Sequence, residues 1–112
     1  HADRLLFAVN GQPCAIKYDD ILYLESSKRL IYLHLTDEQK ENKCFYAVMA
    51  ELEEQLALAG FLRVHKSYLV NMRYIEKLNY NGVVLVNKEE LPISQKRYSE
   101  IKALHLQWRS RQ

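Results

Sequence analysis

The hydrophobic and polar positions of the chain form short alternating runs that predict about ten β-strands. The clearest run is 30–36, where Ile31, Leu33 and Leu35 share one face. Residues 21–25 mix Ile, Leu and Tyr, which is typical of a strand buried on both faces. The other predicted strands cover residues 5–10, 14–18, 44–46, the two arms of 61–75, 75–80, 83–86 and 91–93.

Two Asn-Gly pairs between apolar runs predict β-hairpins, at Asn10-Gly11 and at Asn81-Gly82. Pro92 cannot donate a backbone hydrogen bond, so the last strand is expected at a sheet edge.

Helical periodicity is confined to two segments. Within residues 47–59, Val48, Leu52 and Leu56 repeat every four residues, and Gly60 follows in a position favoured for a helix end. The second segment begins after Ser94, a predicted N-cap, and places these apolar or aromatic residues on one face: Tyr98, Ile101, Leu104 or His105, and Trp108.

The pattern therefore predicts a mainly β fold of about ten short strands in small antiparallel sheets, with one internal helix and one C-terminal helix. A length of 112 residues fits one domain, 1–112. No apolar run approaches the ~20 residues of a membrane span, so no membrane association is expected. The chain starts without Met, so we expect a fragment of a larger protein, with His1-Ala2 foreign to the natural domain.

Residues 61–75 break the alternation with a polar triplet, His65-Lys66-Ser67. This pattern predicts two short strands around a tight corner that carries hydrogen-bond donors. Arg, His, Lys, Ser and Asn are the side chains that contact phosphates and base edges, so the stretch is a candidate nucleic-acid-binding surface.

Charge is distributed unevenly along the chain. Residues 1–60 carry six Lys/Arg against ten Asp/Glu, a balance of −4, whereas residues 61–112 carry ten against four, a balance of +6. This contrast favours a polyanionic partner for the basic half. A solvated basic surface, or a non-enzymatic β-domain that binds an acidic protein, is the alternative.

Three basic clusters fall at predicted loops or corners. Lys28-Arg29 forms the first, the corner around Lys66 the second, and Lys96-Arg97 the third. The third occupies the predicted first turn of a helix, where cations oppose the helix dipole but help to bind an anion. The candidate DNA-binding residues are Lys28, Arg29, Arg63, His65, Lys66, Ser67, Asn71, Arg73, Lys96 and Arg97.

Several of these residues have a structural alternative. His65 could be a core histidine bonded to a backbone carbonyl, Ser67 could cap the turn, and Asn71 could brace a loop through backbone bonds. Arg73 fits a phosphate contact or an ordinary surface residue. His34 lies on the less buried face of its strand and is interpreted as structural.

Catalytic and metal-binding signatures are absent from the sequence. It has no Gly-rich phosphate loop, no HExxH and no GxSxG, and a hydrolase using His65 would lack a visible orienting carboxylate. We expect no enzyme activity, cofactor or metal. Cys14 and Cys44 have no metal-ligand spacing and are expected as free, buried or half-buried thiols, with a disulfide or a redox sensor as the alternative.

Three motifs, in this order, resemble the LytTR DNA-binding domain family of bacterial response regulators. They are DDILYLE at residues 19–25, FLRVHKSYLVN at residues 61–71 followed by Ile75, and LPISQKR at residues 91–97. The resemblance covers roughly residues 15–105. It implies small antiparallel sheets side by side, and DNA binding by loops that enter successive major grooves and grip the backbone between them.

Carried over to this chain, the resemblance places His65 and Lys66 on the DNA, and Lys96 and Arg97 near base edges or phosphates. Several relatives carry a base-contacting His in the first loop, where this chain has Lys28-Arg29, so its sequence preference is expected to differ. The resemblance further implies a cytoplasmic transcription regulator of a two-component system. Its partners are expected to be an N-terminal receiver domain and double-stranded DNA, with paired binding on direct-repeat sites.

Overall fold

The computed structural model describes residues 3–112, so the expectation for His1-Ala2 lies outside the described residues. Ten strands and two α-helices confirm the predicted mainly β fold. The strands are β1 Arg4–Val9, β2 Gln12–Lys17, β3 Ile21–Ser27, β4 Leu30–Leu35, β5 Cys44–Tyr46, β6 Phe61–His65, β7 Tyr68–Asn71, β8 Ile75–Asn79, β9 Gly82–Leu85 and β10 Glu90–Leu91. The helices are α1 Met49–Leu56 and α2 Tyr98–Arg109, and 3₁₀ turns cover Tyr18–Asp20, Ala57–Ala59, Met72–Tyr74 and Gln95–Arg97.

The strands form three antiparallel sheets. A five-stranded sheet has the order β5-β4-β3-β7-β6, a three-stranded sheet the order β10-β9-β8, and β1 pairs with β2 alone. The edge position predicted for the segment around Pro92 is confirmed, although β10 ends at Leu91, just before the proline.

Both predicted hairpins form, with different turns. Asn10 and Gly11 adopt φ of 51° and 78°, the left-handed values that a tight hairpin turn needs at both central residues. In the second hairpin Asn79 pairs with Gly82, so the central residues are Tyr80 and Asn81, one position earlier than predicted. A Cβ on Gly82 would lie 2.9 Å from the Leu91 carbonyl oxygen, which explains the glycine.

Strand β3 joins two apolar cores. Ile21 and Leu24 pack into a core with the β1–β2 hairpin and α1, while Leu22 and Tyr23 pack into a second core with the three-stranded sheet and α2. The predicted burial on both faces is confirmed, and a bulge between Ile21 and Tyr23 sets which residue faces which core.

Helix α1 is shorter than predicted and its apolar stripe is shifted. Val48 is its exposed N-cap residue, and Met49 takes the buried position beside Leu52 and Leu56. Gly60 ends the segment with φ of 89°, as expected of a glycine after a helix.

Helix α2 packs through Ile101 and His105, and Leu104 is exposed. Of the two residues that the sequence allowed on the packed face, Leu104 and His105, it is therefore His105 that is buried. Ser94 makes no side-chain capping bond; it precedes the 3₁₀ turn, and α2 itself begins at Tyr98.

Asn71 ties the end of β7 to the start of β3. Its side-chain amide donates to the carbonyl oxygens of Tyr18 at 3.1 Å and Ile21 at 3.0 Å, and its Oδ1 accepts from the backbone N–H of Arg73. With only 3% of the residue exposed, these bonds are shielded from water.

Replacing Asn71 by Ala is expected to lower the free energy of unfolding by at least ~2 kcal/mol, because two backbone carbonyls lose a buried donor. Urea unfolding of the wild type and of Asn71→Ala measures this difference. Asn79→Ala, at an exposed turn, is the matched control and should change it by less than about 1 kcal/mol. Equal losses in both variants would contradict the assigned role.

Candidate nucleic-acid interface

Strand pairing brings the first two basic turns to one end of the five-stranded sheet. β3 pairs antiparallel with both β4 and β7, so the β3–β4 turn at Lys28-Arg29 and the β6–β7 turn at Lys66-Ser67 lie side by side. A backbone hydrogen bond of 2.9 Å from the N–H of Ser26 to the carbonyl of Ser67 joins them.

The third basic turn is attached to the same end. The N–H of Ser94, just before the 3₁₀ turn Gln95–Arg97, donates to the Val64 carbonyl at 2.7 Å, next to the end of β6. We call this surface the basic end, defined by the exposed side chains of Lys28, Arg29, Lys66, Lys96 and Arg97.

Four of these five cations make no ion pair within the described residues. The exception is Arg97, whose Nη2 donates to Glu100 Oε1 at 2.7 Å. This hydrogen bond raises the pKa of Arg97 and lowers that of Glu100. The predicted placement of Lys96-Arg97 in the first turn of an α-helix is corrected, because both residues belong to the preceding 3₁₀ turn.

His65 shapes the corner and is half-buried. Its Nδ1 accepts a hydrogen bond of 3.1 Å from the backbone N–H of Ser67, so this ring nitrogen is bonded to an amide N–H and not to a carbonyl. Burial lowers the pKa of His65, and the positive charges of Lys66 and Arg63 lower it further. Ser67 serves the turn through its backbone.

Arg63 is directed toward the protein. Its Nη1 donates to Glu53 Oε1 at 3.1 Å and its Nη2 to the carbonyl of Lys66 at 2.9 Å. Nε is buried and has no partner among the described residues. The sequence predicts a DNA contact here, whereas the structure assigns the guanidinium to holding the corner against α1.

The predicted DNA contact of Asn71 is corrected, and Arg73, also predicted as a DNA contact, is exposed elsewhere on the surface. Asn71 is buried and fully engaged in backbone bonds. Arg73 lies beyond the far end of β7, away from the corner, and pairs with Asp19. Neither side chain belongs to the basic end.

A polar cluster supports the sheet behind the corner. Glu25 binds His34 Nε2 at 2.9 Å and accepts from the hydroxyl of Tyr68 at 3.4 Å, and the His34 ring stacks on Tyr23 at 4.1 Å. Burial raises the pKa of Tyr23. The Tyr23 hydroxyl also donates a hydrogen bond of 2.8 Å to Glu89, which raises this pKa further. These contacts support the structural interpretation of His34.

Tyr46 and Val48 lie beside the basic end, although the sequence predicted no surface role for either residue. β5 pairs with β4 so that Tyr46 lies opposite Leu30, directly after the first basic turn. Both side chains are exposed and line a groove with Lys28 and Lys66. The exposure of Tyr46 follows from the alternation in β5, because successive side chains of a strand point to opposite faces and Phe45 is buried.

Metal ligands, thiols and membrane-spanning helices were the remaining features to compare with the sequence predictions. Residues 3–112 contain no group of three or more His, Cys, Asp or Glu side chains that could hold a metal ion. Cys14 and Cys44 are free thiols, as predicted, but Cys44 is exposed. No described helix has the length and hydropathy needed to cross a membrane.

The chain is a mainly β domain whose three basic turns lie together at one end. The chain belongs to the LytTR family, since the model of the LytTr DNA-binding domain matches residues 12–105. A similar solved structure is the LytTr DNA-binding domain of a putative methyl-accepting/DNA response regulator from Bacillus cereus. It is 20% identical with a TM-score of 0.73, over 91% of this chain and 95% of that one. No curated protein matches significantly.

Acid is expected to destabilise the domain through His65 and His105. Burial lowers both pKa values from the ordinary value of 6.5, with Arg109 lowering that of His105 further. As the pH falls below ~6.5, these histidines bind protons in the unfolded chain before they do so in the native state, so the free energy of unfolding decreases. Above pH ~6.5 the histidines are neutral in both states, and no stability is lost through them. Urea unfolding at pH 7.5 and 5.5 should show a smaller fall in His105→Gln than in the wild type. The same fall in both proteins would contradict this assignment.

Proposed function

We propose that this chain is the sequence-specific DNA-binding output domain of a cytoplasmic bacterial two-component response regulator. The observation that carries the proposal is the convergence of three exposed basic turns at one end of the five-stranded sheet. Family membership and the response-regulator description of the B. cereus structure support it. In this proposal the domain is a binding module without catalytic activity.

The turns enter successive major grooves of double-stranded DNA, and the backbone between them is held by lysine and arginine. Lys66 is at the centre, with the Lys28-Arg29 turn on one side and Lys96 on the other. His65, Ser67 and Arg97 lie at the same end as secondary contacts. One small module that reaches two grooves is expected to bend its site.

The wider assembly is also part of the proposal. An N-terminal receiver domain controls the output, and two copies bind direct-repeat half-sites. The second candidate function, binding of an acidic protein, is favoured only by the charge of the basic half. Gel shifts with random duplexes at low and moderate salt distinguish the two candidate functions. A domain that binds DNA retards the duplexes, whereas a domain that binds only an acidic protein does not.

Lys66→Ala is expected to weaken DNA binding without unfolding the domain. Five phosphate contacts at the basic end would give a slope of about −4.5 for log K against log salt, and losing one would make it less steep by about 0.9. The same relation gives about fivefold weaker binding at 0.15 M salt. Fluorescence anisotropy across a salt series, on a duplex selected by the wild type, measures both quantities.

Lys40→Ala is the matched control, since Lys40 is exposed in the β4–β5 loop at the opposite end of the sheet. It should leave the affinity and the slope unchanged. A flat salt response of the wild type, or equal effects of the two substitutions, would contradict the proposed surface.

Arg63→Gln and Arg29→Gln form a second matched pair. Both remove one positive charge, but only Arg29 is proposed to neutralise a phosphate. Arg29→Gln should make the slope less steep by about 0.9, whereas Arg63→Gln should weaken binding at an unchanged slope by loosening the corner. Identical changes in slope would show that Arg63 contacts DNA directly.

A further inference from the structure

Two apolar side chains are exposed directly beside the basic end. Tyr46 is 79% exposed and Val48 57% exposed, although valine is usually buried and tyrosine is usually at least partly buried. Their position is set by the backbone: β5 ends next to the first basic turn, and Val48 is the last residue before α1.

The groove that they line contains both apolar and positively charged side chains. Its lining residues include Tyr46 and Val48 together with the cations Lys28, Arg29, Arg63 and Lys66. None of these described residues carries a carboxylate. Three of its cations, Lys28, Arg29 and Lys66, make no ion pair within the described residues. A surface that places apolar side chains beside such cations is complementary to a partner that presents methyl groups between phosphates.

The major groove of DNA has this chemistry. Phosphates border it, and thymine alone among the four bases presents a methyl group there, which apolar side chains recognise by contact. An acidic protein would meet the cations equally well, but it would not explain why the exposed apolar residues border the turns proposed to enter the groove.

We propose that Tyr46 and Val48 contact a thymine 5-methyl group in the bound DNA. Residues 46–48 then form a fourth DNA-contacting segment, and one that reads sequence rather than backbone. This inference rests on the proposed function. Excluding a buried methyl group from water favours binding by about fourfold, which sets the expected size of the effect.

Replacement of thymine by deoxyuridine tests the contact, because it removes only the methyl group. A duplex is first selected from a random library with the wild-type domain, and each thymine is then replaced singly. At one or two positions the wild type should bind about fourfold more weakly, and Val48→Ala or Tyr46→Ala should not distinguish the two duplexes. Neutral replacement at every position, or an equal loss in wild type and variants, would overturn the inference.

Tyr46→Phe separates the ring from its hydroxyl. The apolar contact predicts unchanged affinity and an unchanged response to deoxyuridine. A loss with Phe equal to that with Ala would instead show a hydroxyl–phosphate bond and would overturn the methyl contact for Tyr46.

Leu58→Ala and Val86→Ala are the matched controls. Leu58 is fully exposed shortly before β6 begins, and the N–H of Val86 donates to Tyr74, so both lie at the end of the structure away from the corner. Both variants should bind like the wild type. If the wild type selects no duplex, the proposed function itself fails; if it does and the Tyr46 and Val48 variants match these controls, only this inference fails.

Discussion

The burial of β3 on both faces is the constraint on which the rest of the structure depends. A strand with apolar side chains on both sides must lie in the interior of a sheet and receive its backbone hydrogen bonds from two neighbours. Here the neighbours are β4 and β7, and each leads into or out of a basic turn. The packing of the two cores and the placement of the binding surface therefore share one cause.

Register connects this packing to function. A one-residue slip of β7 against β3 would reverse the faces of Leu69 and Val70, which belong to different cores, so the pairing is strongly specified. The same pairing sets how far the corner projects relative to the first turn, and the Ser26–Ser67 backbone bond preserves that relation. Loops held in this way lose little conformational entropy when they bind a ligand.

Much of the fold was accessible from the sequence because alternation and turn chemistry are local signals. The strands, both hairpins and the glycine after α1 followed from them. The phase of α1 did not, because Val48 and Met49 are both apolar and only tertiary packing decides which of them is buried. The turn at Tyr80-Asn81 likewise depends on pairing, which places Gly82 against Leu91.

The candidate site was predictable at the level of segments but not of every side chain. Basic turns were correctly located, yet donors of the same chemical type serve different purposes. The bonds of Asn71 to Tyr18 and Ile21 span about fifty residues of sequence, and no local pattern reports them. The pairing of Arg73 with Asp19 spans a similar separation. Val48 was predicted to be part of the apolar stripe of α1, and only the packing of the helix shows that it is exposed.

The engagement of Arg63 has a consequence for how the domain releases its ligand. Exposed cations are screened by salt, whereas a half-buried guanidinium held by Glu53 and a carbonyl is screened much less. Ionic conditions that detach a polyanion therefore leave the corner assembled. In the proposed DNA-binding role, dissociation and recapture would require no reordering of this loop, so charge and diffusion would govern exchange between sites.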